Sequence, residues 1–252
     1  MRRIICVVIF VFVAGVCGRK LGRIIGGEDA VVGQGKYQVS LRTLMNQHFC
    51  GGAILTSTWV VTAGHCTLGR KPGEFQAAVG SLSIHEGTGH RVGYVFRHPD
   101  FDAHSLTDDI ALLETETPIV FNDLVQPAVL SERVIPEGME ALLTGWGQLE
   151  YPGSVSRTLQ ALRMVTMTNE ECHERHSIDV YSPPIRDSNI CAFRENAGAC
   201  MGDSGSPLVL GNELVGIVSW GVPCAKNFGD VFTRISSYRS WIITSINSKD
   251  QP

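Results

Sequence analysis

The sequence predicts an all-β protein, a barrel or a sandwich, and three observations predict it. Short apolar runs punctuated by Gly, Pro, Asn and Asp recur between Tyr37 and Val218. No helical period of any length is visible among them. One helical spacing closes the chain, with Tyr238, Trp241, Ile242, Ser245 and Ile246 on one face after a Ser236-Ser237 cap.

The strands are expected in order. Residues 38–41 (Gln-Val-Ser-Leu) alternate polar and apolar. Residues 52–55 form an apolar run that stops at Thr56-Ser57, and residues 59–62 (Trp-Val-Val-Thr) are β-branched and aromatic. Residues 77–79 stop at Gly80, and residues 110–113 (Ile-Ala-Leu-Leu) are wholly apolar. Residues 139–144 end at Gly145, 159–165 alternate around Arg163, and 207–210 and 213–220 flank a Gly211-Asn212 turn. At 252 residues the chain has room for one or two domains, and 44% hydrophobic content is ample for a core. A linker is placed near residues 126–138. No internal repeat or low-complexity segment appears.

Residues 1–18 read as a signal peptide: Arg2 and Arg3, an apolar stretch over 4–16, then Cys17-Gly18. That stretch is too short to span a bilayer. Secretion makes disulfides plausible. Of the eight cysteines, Cys6 and Cys17 leave with the leader, and the remaining six allow fifteen connectivities. Five of the 21 basic residues and none of the 25 acidic ones precede Ile24, so residues 24–252 carry a net charge of −9. That argues against nucleic acid or an anionic membrane as partner. No Asn-X-Ser/Thr acceptor is present.

Three short motifs carry the chemistry: Val-Thr-Ala-Gly-His-Cys ending at His65 and Cys66, Asp-Asp-Ile-Ala-Leu-Leu starting at Asp108, and Gly-Asp-Ser-Gly-Ser-Pro centred on Ser204. A serine hydroxyl is a poor nucleophile near neutrality and needs a base, which in turn needs an orienting group. A histidine, with an unperturbed pKa of roughly 6.5, is mostly neutral at pH 7 and can accept that proton. A buried carboxylate fixes its tautomer and stabilises the imidazolium. Alone, each residue has an ordinary reading: a structural His, a surface Asp, a turn Ser. The order His–Asp–Ser separates this chain from subtilisins and α/β-hydrolases, which use the same groups in other orders.

On these motifs, residues 24 to about 247 resemble the chymotrypsin/trypsin family of serine endopeptidases. Residues 197–200 (Ala-Gly-Ala-Cys) and 223–225 (Pro-Cys-Ala) are most similar to insect chymotrypsins. The resemblance implies two six-stranded antiparallel β-barrels, about 24–128 and 129–235, with the site in the cleft between them and a helix over about 236–247. It implies His65 as general acid/base, Asp109 rather than Asp108 as the orienting carboxylate, and Ser204 as nucleophile. The N–H groups of Gly202 and Ser204 would form the oxyanion hole. The disulfides would be Cys50–Cys66, Cys172–Cys191 and Cys200–Cys224. Residues 19–23 would be an activation propeptide: cleavage after Arg23 would free the Ile24 ammonium to pair with Asp203. The expected partners are protein or peptide substrates, an activating trypsin-like protease and protein inhibitors. The chain is expected to be a secreted monomer with no metal or cofactor, acting for example in digestion.

The specificity pocket follows from the same resemblance. Gly198 would form its floor beside Ala199, and Ser219-Trp220-Gly221 its edge strand, pairing with substrate backbone. A neutral slot open at Gly221 favours Phe, Tyr, Leu or Met before the cut bond. Asp230, on the far wall near the floor, is an acid that must be hydrated, partnered or protonated, or else receive Lys or Arg. That arrangement is similar to insect chymotrypsins and crab collagenolytic proteases. Two residues depart from the family: Gly64 stands where Ala is usual and Ser206 where Gly is usual. Asp108, and histidines 85, 90, 98, 104, 173 and 176, read as solvated. The other classes weighed are a non-catalytic protease homologue that binds or regulates, and an esterase of another fold.

Overall fold

A computed structural model describes residues 25–179, 182–222 and 224–249. The leader, Arg23 and Ile24 lie outside the described residues. A short strand β1 (Glu28–Asp29) precedes six that close on themselves: β2 (Gln38–Thr43), β3 (His48–Ile54), β4 (Trp59–Thr62), β5 (Phe75–Val79), β6 (Thr88–Arg97) and β7 (Ala111–Thr115). The barrel runs β2-β3-β4-β7-β6-β5 and returns to β2, every pair antiparallel.

After β8 (Val129–Leu130) come β9 (Glu140–Gly145), β10 (Gln160–Met167), helix α1 (Asn169–His176), β11 (Asn189–Phe193), β12 (Pro207–Leu210), β13 (Glu213–Gly221), β14 (Asp230–Arg234) and helix α2 (Ile235–Lys249). Six of these strands, β9-β10-β11-β14-β13-β12, close a second antiparallel barrel through β12–β9 pairing. The sequence-based choice between barrel and sandwich is thus decided for two barrels.

Each barrel has its own filling. Val39, Leu41, Phe75, Leu113 and Val125 fill the first, and Leu143, Leu162, Leu208, Val215 and Phe232 the second. A third cluster joins them: Trp59, Ile110 and Leu112 from the first barrel meet Leu214 and Ile217 from the second, with Ile235, Tyr238 and Ile242 at the start of α2. The helical spacing at the chain end is the stripe that buries this seam. Among the described residues no helix is long and apolar enough to cross a membrane.

Several elements escaped the pattern reading. β6 was read as loop because Gly89, His90, Arg91 and Gly93 break its apolar run; neighbours on both sides recruit it. β3 starts at His48, well before the expected residue 52. β11 and β14 are five-residue strands with no distinctive pattern. The expectation of no helix before the chain end is corrected by α1, a polar helix whose cap is Thr168, accepting the Glu171 N–H.

Gly51 on β3 shows how closely the two barrels meet. A β-carbon there would collide with Ser206 Oγ and stand 2.9 Å from Ser206 Cα. Its N–H donates to the Ser204 carbonyl at 2.7 Å. Gly51→Ala should destabilise the protein by about 3 kcal/mol in urea unfolding, because nothing at the contact can retreat. Adding Ser206→Gly should recover part of that loss; strict additivity of the two changes would contradict the contact.

Candidate functional site

The site begins with a carboxylate at the seam. Asp109 sits between its positive-φ neighbour Asp108 and the apolar run that enters β7, and it is 1% exposed. A buried charge of this kind must be fully hydrogen-bonded. Its Oδ1 accepts the His65 N–H at 2.8 Å, and its Oδ2 lies 2.8 Å from His65 Nδ1. The Ser219 hydroxyl donates to the same Oδ2 at 2.6 Å, and Thr233 Oγ1 donates to the Asp109 carbonyl at 2.8 Å. The carboxylate thus takes two donors from the first barrel and one from the second. His65 lies on a 3-10 turn, Gly64–Thr67, with Nδ1 bound inward and Nε2 left for the cleft.

Asp108 is not the solvated neighbour expected. It is half-buried, and its Oδ1 accepts the Tyr238 hydroxyl at 2.8 Å. Gly64 is also explained: a β-carbon there would stand 3.0 Å from the Phe101 ring and 3.2 Å from Asp109 Oδ1.

Ser204 reaches the same place from the second barrel. Its carbonyl accepts the Gly51 N–H, and Gly51 O accepts the Thr62 hydroxyl, which ties the Ser204 turn to the strand leading into His65. No Ser204 Oγ to His65 Nε2 bond is among the described hydrogen bonds. Such bonds are often long in unliganded sites. The Gly202 and Ser204 N–H groups have no acceptor among the described bonds, while the intervening Asp203 N–H donates to Cys200 O. Gly202 has φ +100°, a conformation that a side chain disfavours. Two free amides on either side of a turned-in one can hold an anionic oxygen.

His48 was not anticipated by the sequence reading. Its ring joins Ser40 Oγ at Nδ1 (2.8 Å) and the Gly202 carbonyl at Nε2 (2.9 Å), and Arg42 Nε–H donates to Ser40 Oγ at 2.9 Å. Burial pushes the imidazole down to about 4; the Gly202 carbonyl acts upward and Arg42 downward. The ring is therefore neutral at pH 7, donates from Nε2 to Gly202 and accepts the Ser40 hydroxyl. It anchors the turn that presents the free amides. The signal, a lone His at the start of a strand, carries no motif.

Beside Ser204 lies a cavity of about 160 Å³ lined by Ala199, Cys200, Met201, Val218, Ser219, Trp220, Gly221 and Asp230. Gly198, the expected floor, is not on its wall. The Asp230 carboxylate covers it, with Oδ2 within 2.8 Å of where a Gly198 β-carbon would be. A somewhat larger cleft of about 230 Å³ opens near His90 on the first barrel, away from these groups. Ser219 turns its side chain to Asp109 at a bulge in the β13–β14 register, so its hydroxyl supports the His65 carboxylate and does not face the cavity alone. Val218 still pairs on the β12 side of β13, its N–H donating to Ser206 O at 2.9 Å and its carbonyl accepting the Gly205 N–H at 2.8 Å. Beyond it, among the described residues, β13 has no partner on that side, which leaves a short strand edge beside the cavity.

Two buried acids flank this pocket. Asp230 Oδ2 accepts the Ala199 N–H at 2.8 Å; Asp203 accepts Cys200 N–H at 3.0 Å and Gly147 N–H at 2.7 Å. Among the described residues no lysine or arginine pairs with either. Burial pushes Asp230 up to about 7, partly offset by the Ala199 N–H, with the Asp203 charge adding to the rise. Burial likewise raises Asp203 to about 6 against the Cys200 and Gly147 N–H groups. β-carbons at Gly145 or Gly147 would collide with the Asp203 carboxylate, so its niche is glycine-walled.

The disulfides close as the resemblance implied: Cys50–Cys66, Cys172–Cys191 and Cys200–Cys224. The first clamps the His65 turn to β3 and the last braces the cavity wall. Cys66 Sγ lies 3.8 Å from His65 Nε2. The two sulfurs nearest His65, the only grouping of metal-ligating side chains among the described residues, are bonded to each other. His90 and His176 are buried, contrary to the solvated reading. His176 packs edge-on against Trp220 with Nε2 3.1 Å from Gly229 O.

The profile of the family described as Trypsin matches residues 24–242. Trypsin 5G1 of Aedes aegypti is 37% identical over 89% of this chain and 85% of its own length. The vitellin-degrading protease of Bombyx mori is 37% identical over 90% and 86%, and trypsin theta of Drosophila melanogaster 35% over 89% and 86%.

Asp230 yields a stability prediction. An acid whose folded pKa is raised binds its proton more tightly when folded. Its favourable contribution is complete below about pH 4 and is lost as pH rises through about 7. Asp230→Asn keeps the acceptor for Ala199 and removes the charge. Its melting temperature should exceed the wild-type value by several degrees at pH 8 and match it at pH 4. Equal differences at both pH values would refute the assignment.

Proposed function

The chain belongs to the trypsin family of serine endopeptidases, and from that premise we propose which side chains cut the peptide bond and in what order. Ser204 Oγ attacks the scissile carbonyl while His65 Nε2 takes its proton. The carbonyl oxygen becomes an oxyanion held by the Gly202 and Ser204 N–H groups. His65 then returns the proton to the leaving amine, an acyl-enzyme forms on Ser204, and water attacks it by the same route in reverse. Asp109 keeps Nδ1 protonated and stabilises the imidazolium. The observation that carries this reading is the buried Asp109 carboxylate held by His65 and by Ser219, a residue that with Ser204 lines the cavity. His48 is a positioning residue for the oxyanion turn.

Activation is proposed to follow cleavage after Arg23. The described chain begins against residues 196–198: Gly198 N–H donates to Ile25 O at 3.1 Å, and a β-carbon at Gly26 would stand 3.1 Å from Asn196 O. On this reading a free Ile24 ammonium enters and meets Asp203, an acid that no lysine or arginine pairs with among the described residues. Forming that pair removes the cost of burying the carboxylate, and breaking such a pair costs about 3–5 kcal/mol. Residues 1–18 are proposed to direct secretion, with protein substrates outside the cell.

For the residue before the cut bond, the glycine-bordered slot supports large apolar side chains, the first reading of the sequence. One observation favours a second: the pocket base presents the Asp230 carboxyl, which a lysine or arginine can pair with. A panel of peptides differing only at that residue separates the two.

Three outcomes test the catalytic reading. A fluorophosphonate should label the Arg23-cleaved protein and spare Ser204→Ala; no labelling of the cleaved protein would leave a non-catalytic homologue, and labelling of the variant would point to another nucleophile. His65→Ala should lower kcat by roughly 10⁴-fold or more with KM little changed. An uncut Arg23→Ala precursor should be nearly inactive, and full activity in it would overturn the switch.

A further inference from the structure

We propose that Asp230 is a proton-operated selector: its protonated carboxyl makes the pocket a slot for large apolar side chains, and its carboxylate makes the same pocket a receptor for lysine or arginine. This deepens the reading above and rests on it, since it takes the cavity beside Ser204 as the seat of the residue before the cut bond.

The geometry carries the inference. Asp230 is 7% exposed and lines the cavity, at the first position of β14. Its carboxyl occupies the space that side chains at two bordering positions would fill. A β-carbon at Gly198 would lie 2.8 Å from Oδ2, and one at Gly221 3.1 Å from Oδ1. Both positions are glycine, so no side chain fills that space, and among the described residues only the Ala199 N–H is bound to the carboxyl of this cavity-lining residue. A carboxylate holds up to about four hydrogen-bond sites, so one donor leaves it far from satisfied when ionised. Protonated, it needs little more than that one donor. A guanidinium or ammonium entering the cavity supplies the missing donors and the opposite charge at once. An apolar side chain supplies neither and fits beside the neutral acid alone.

The surroundings hold the carboxyl close to that balance. Across the 199–200 peptide, successive N–H groups serve two different acids, Ala199 for Asp230 and Cys200 for Asp203. Asp203 is thus the charged group facing Asp230 from the nucleophile loop, and it opposes ionisation. From α1, His176 reaches the carbonyl of Gly229, the preceding residue, behind Trp220. The β11 partner, Ala192, and the β13 partner, Gly221, bring no titratable group. Burial, an opposing neighbour and one compensating amide leave the acid titrating near neutrality, up to about 7. The Ile24 ammonium, by neutralising Asp203, would ease ionisation of Asp230. Activation and acceptance of basic residues would then reinforce each other.

The test is a ratio. Two peptides that differ only in Arg or Phe before the cut bond are assayed from pH 5.5 to 8.5 with Arg23-cleaved protein. Ser204 and His65 act on both, so their titration cancels in the quotient of kcat/KM values. If each pocket state serves one substrate, the Arg/Phe quotient climbs about tenfold per pH unit. In Asp230→Asn it should be flat and favour Phe. A wild-type quotient changing less than about threefold between pH 6 and pH 8 overturns the selector. So does a pH-dependent quotient that persists in Asp230→Asn, which would point to His176.

A second measurement needs no turnover. Benzamidinium binding to cleaved Ser204→Ala protein, followed by calorimetry, should tighten at least about tenfold from pH 5.5 to 8. Binding independent of pH overturns the proposal whether or not the asparagine variant folds. Loss of cleavage of both peptides with benzamidinium binding intact and pH-dependent would instead fault the catalytic reading and leave the selector standing.

Discussion

The structure depends on satisfying one carboxylate away from water. The Asp109 carboxylate comes from the first barrel and is hydrogen-bonded by His65 from that barrel and by Ser219 from the second, while Thr233 of the second barrel holds the Asp109 backbone carbonyl. Neither barrel alone can supply enough donors, so the charge is tolerable only when the two halves are docked. Around them the seam cluster and the first turns of α2 exclude the water that would otherwise weaken these bonds. Stability and the orientation of His65 therefore rest on the same contacts.

A second constraint governs the pocket side. Asp203 and Asp230 are buried acids provided with fewer donors than they can accept, on neighbouring amides of one loop. Glycine at 145, 147, 198 and 221 keeps both niches open, so the emptiness is built by the backbone. His48, kept neutral by burial, ties the free-amide turn to the first barrel without adding charge.

Sequence patterning captured the strands whose signal is local. The runs at 59–62 and 207–210 stand where expected because their continuous apolar, β-branched character and flanking turns suffice. β6 was lost because its polar and glycine residues look like loop until β5 and β7 flank it, and α1 because a short polar helix has no apolar stripe. Its Thr168/Glu171 cap was the readable cue. His90 and His176 were misplaced because burial is a property of neighbours distant in the chain.

By itself the sequence determined the chemistry: which hydroxyl, imidazole and carboxylate stand in which order, the family they belong to and an all-β architecture. These are composed of residue identity and short-range pattern, which a chain carries unfolded. Only the tertiary structure decided that the Asp230 carboxyl lines the cavity while covering Gly198, that the Ser219 hydroxyl binds Asp109, that Asp108 belongs to Tyr238 and that His48 holds the Gly202 turn. Each of these is a competition for hydrogen-bond partners in a space closed to water, and that competition exists only once both barrels have come together.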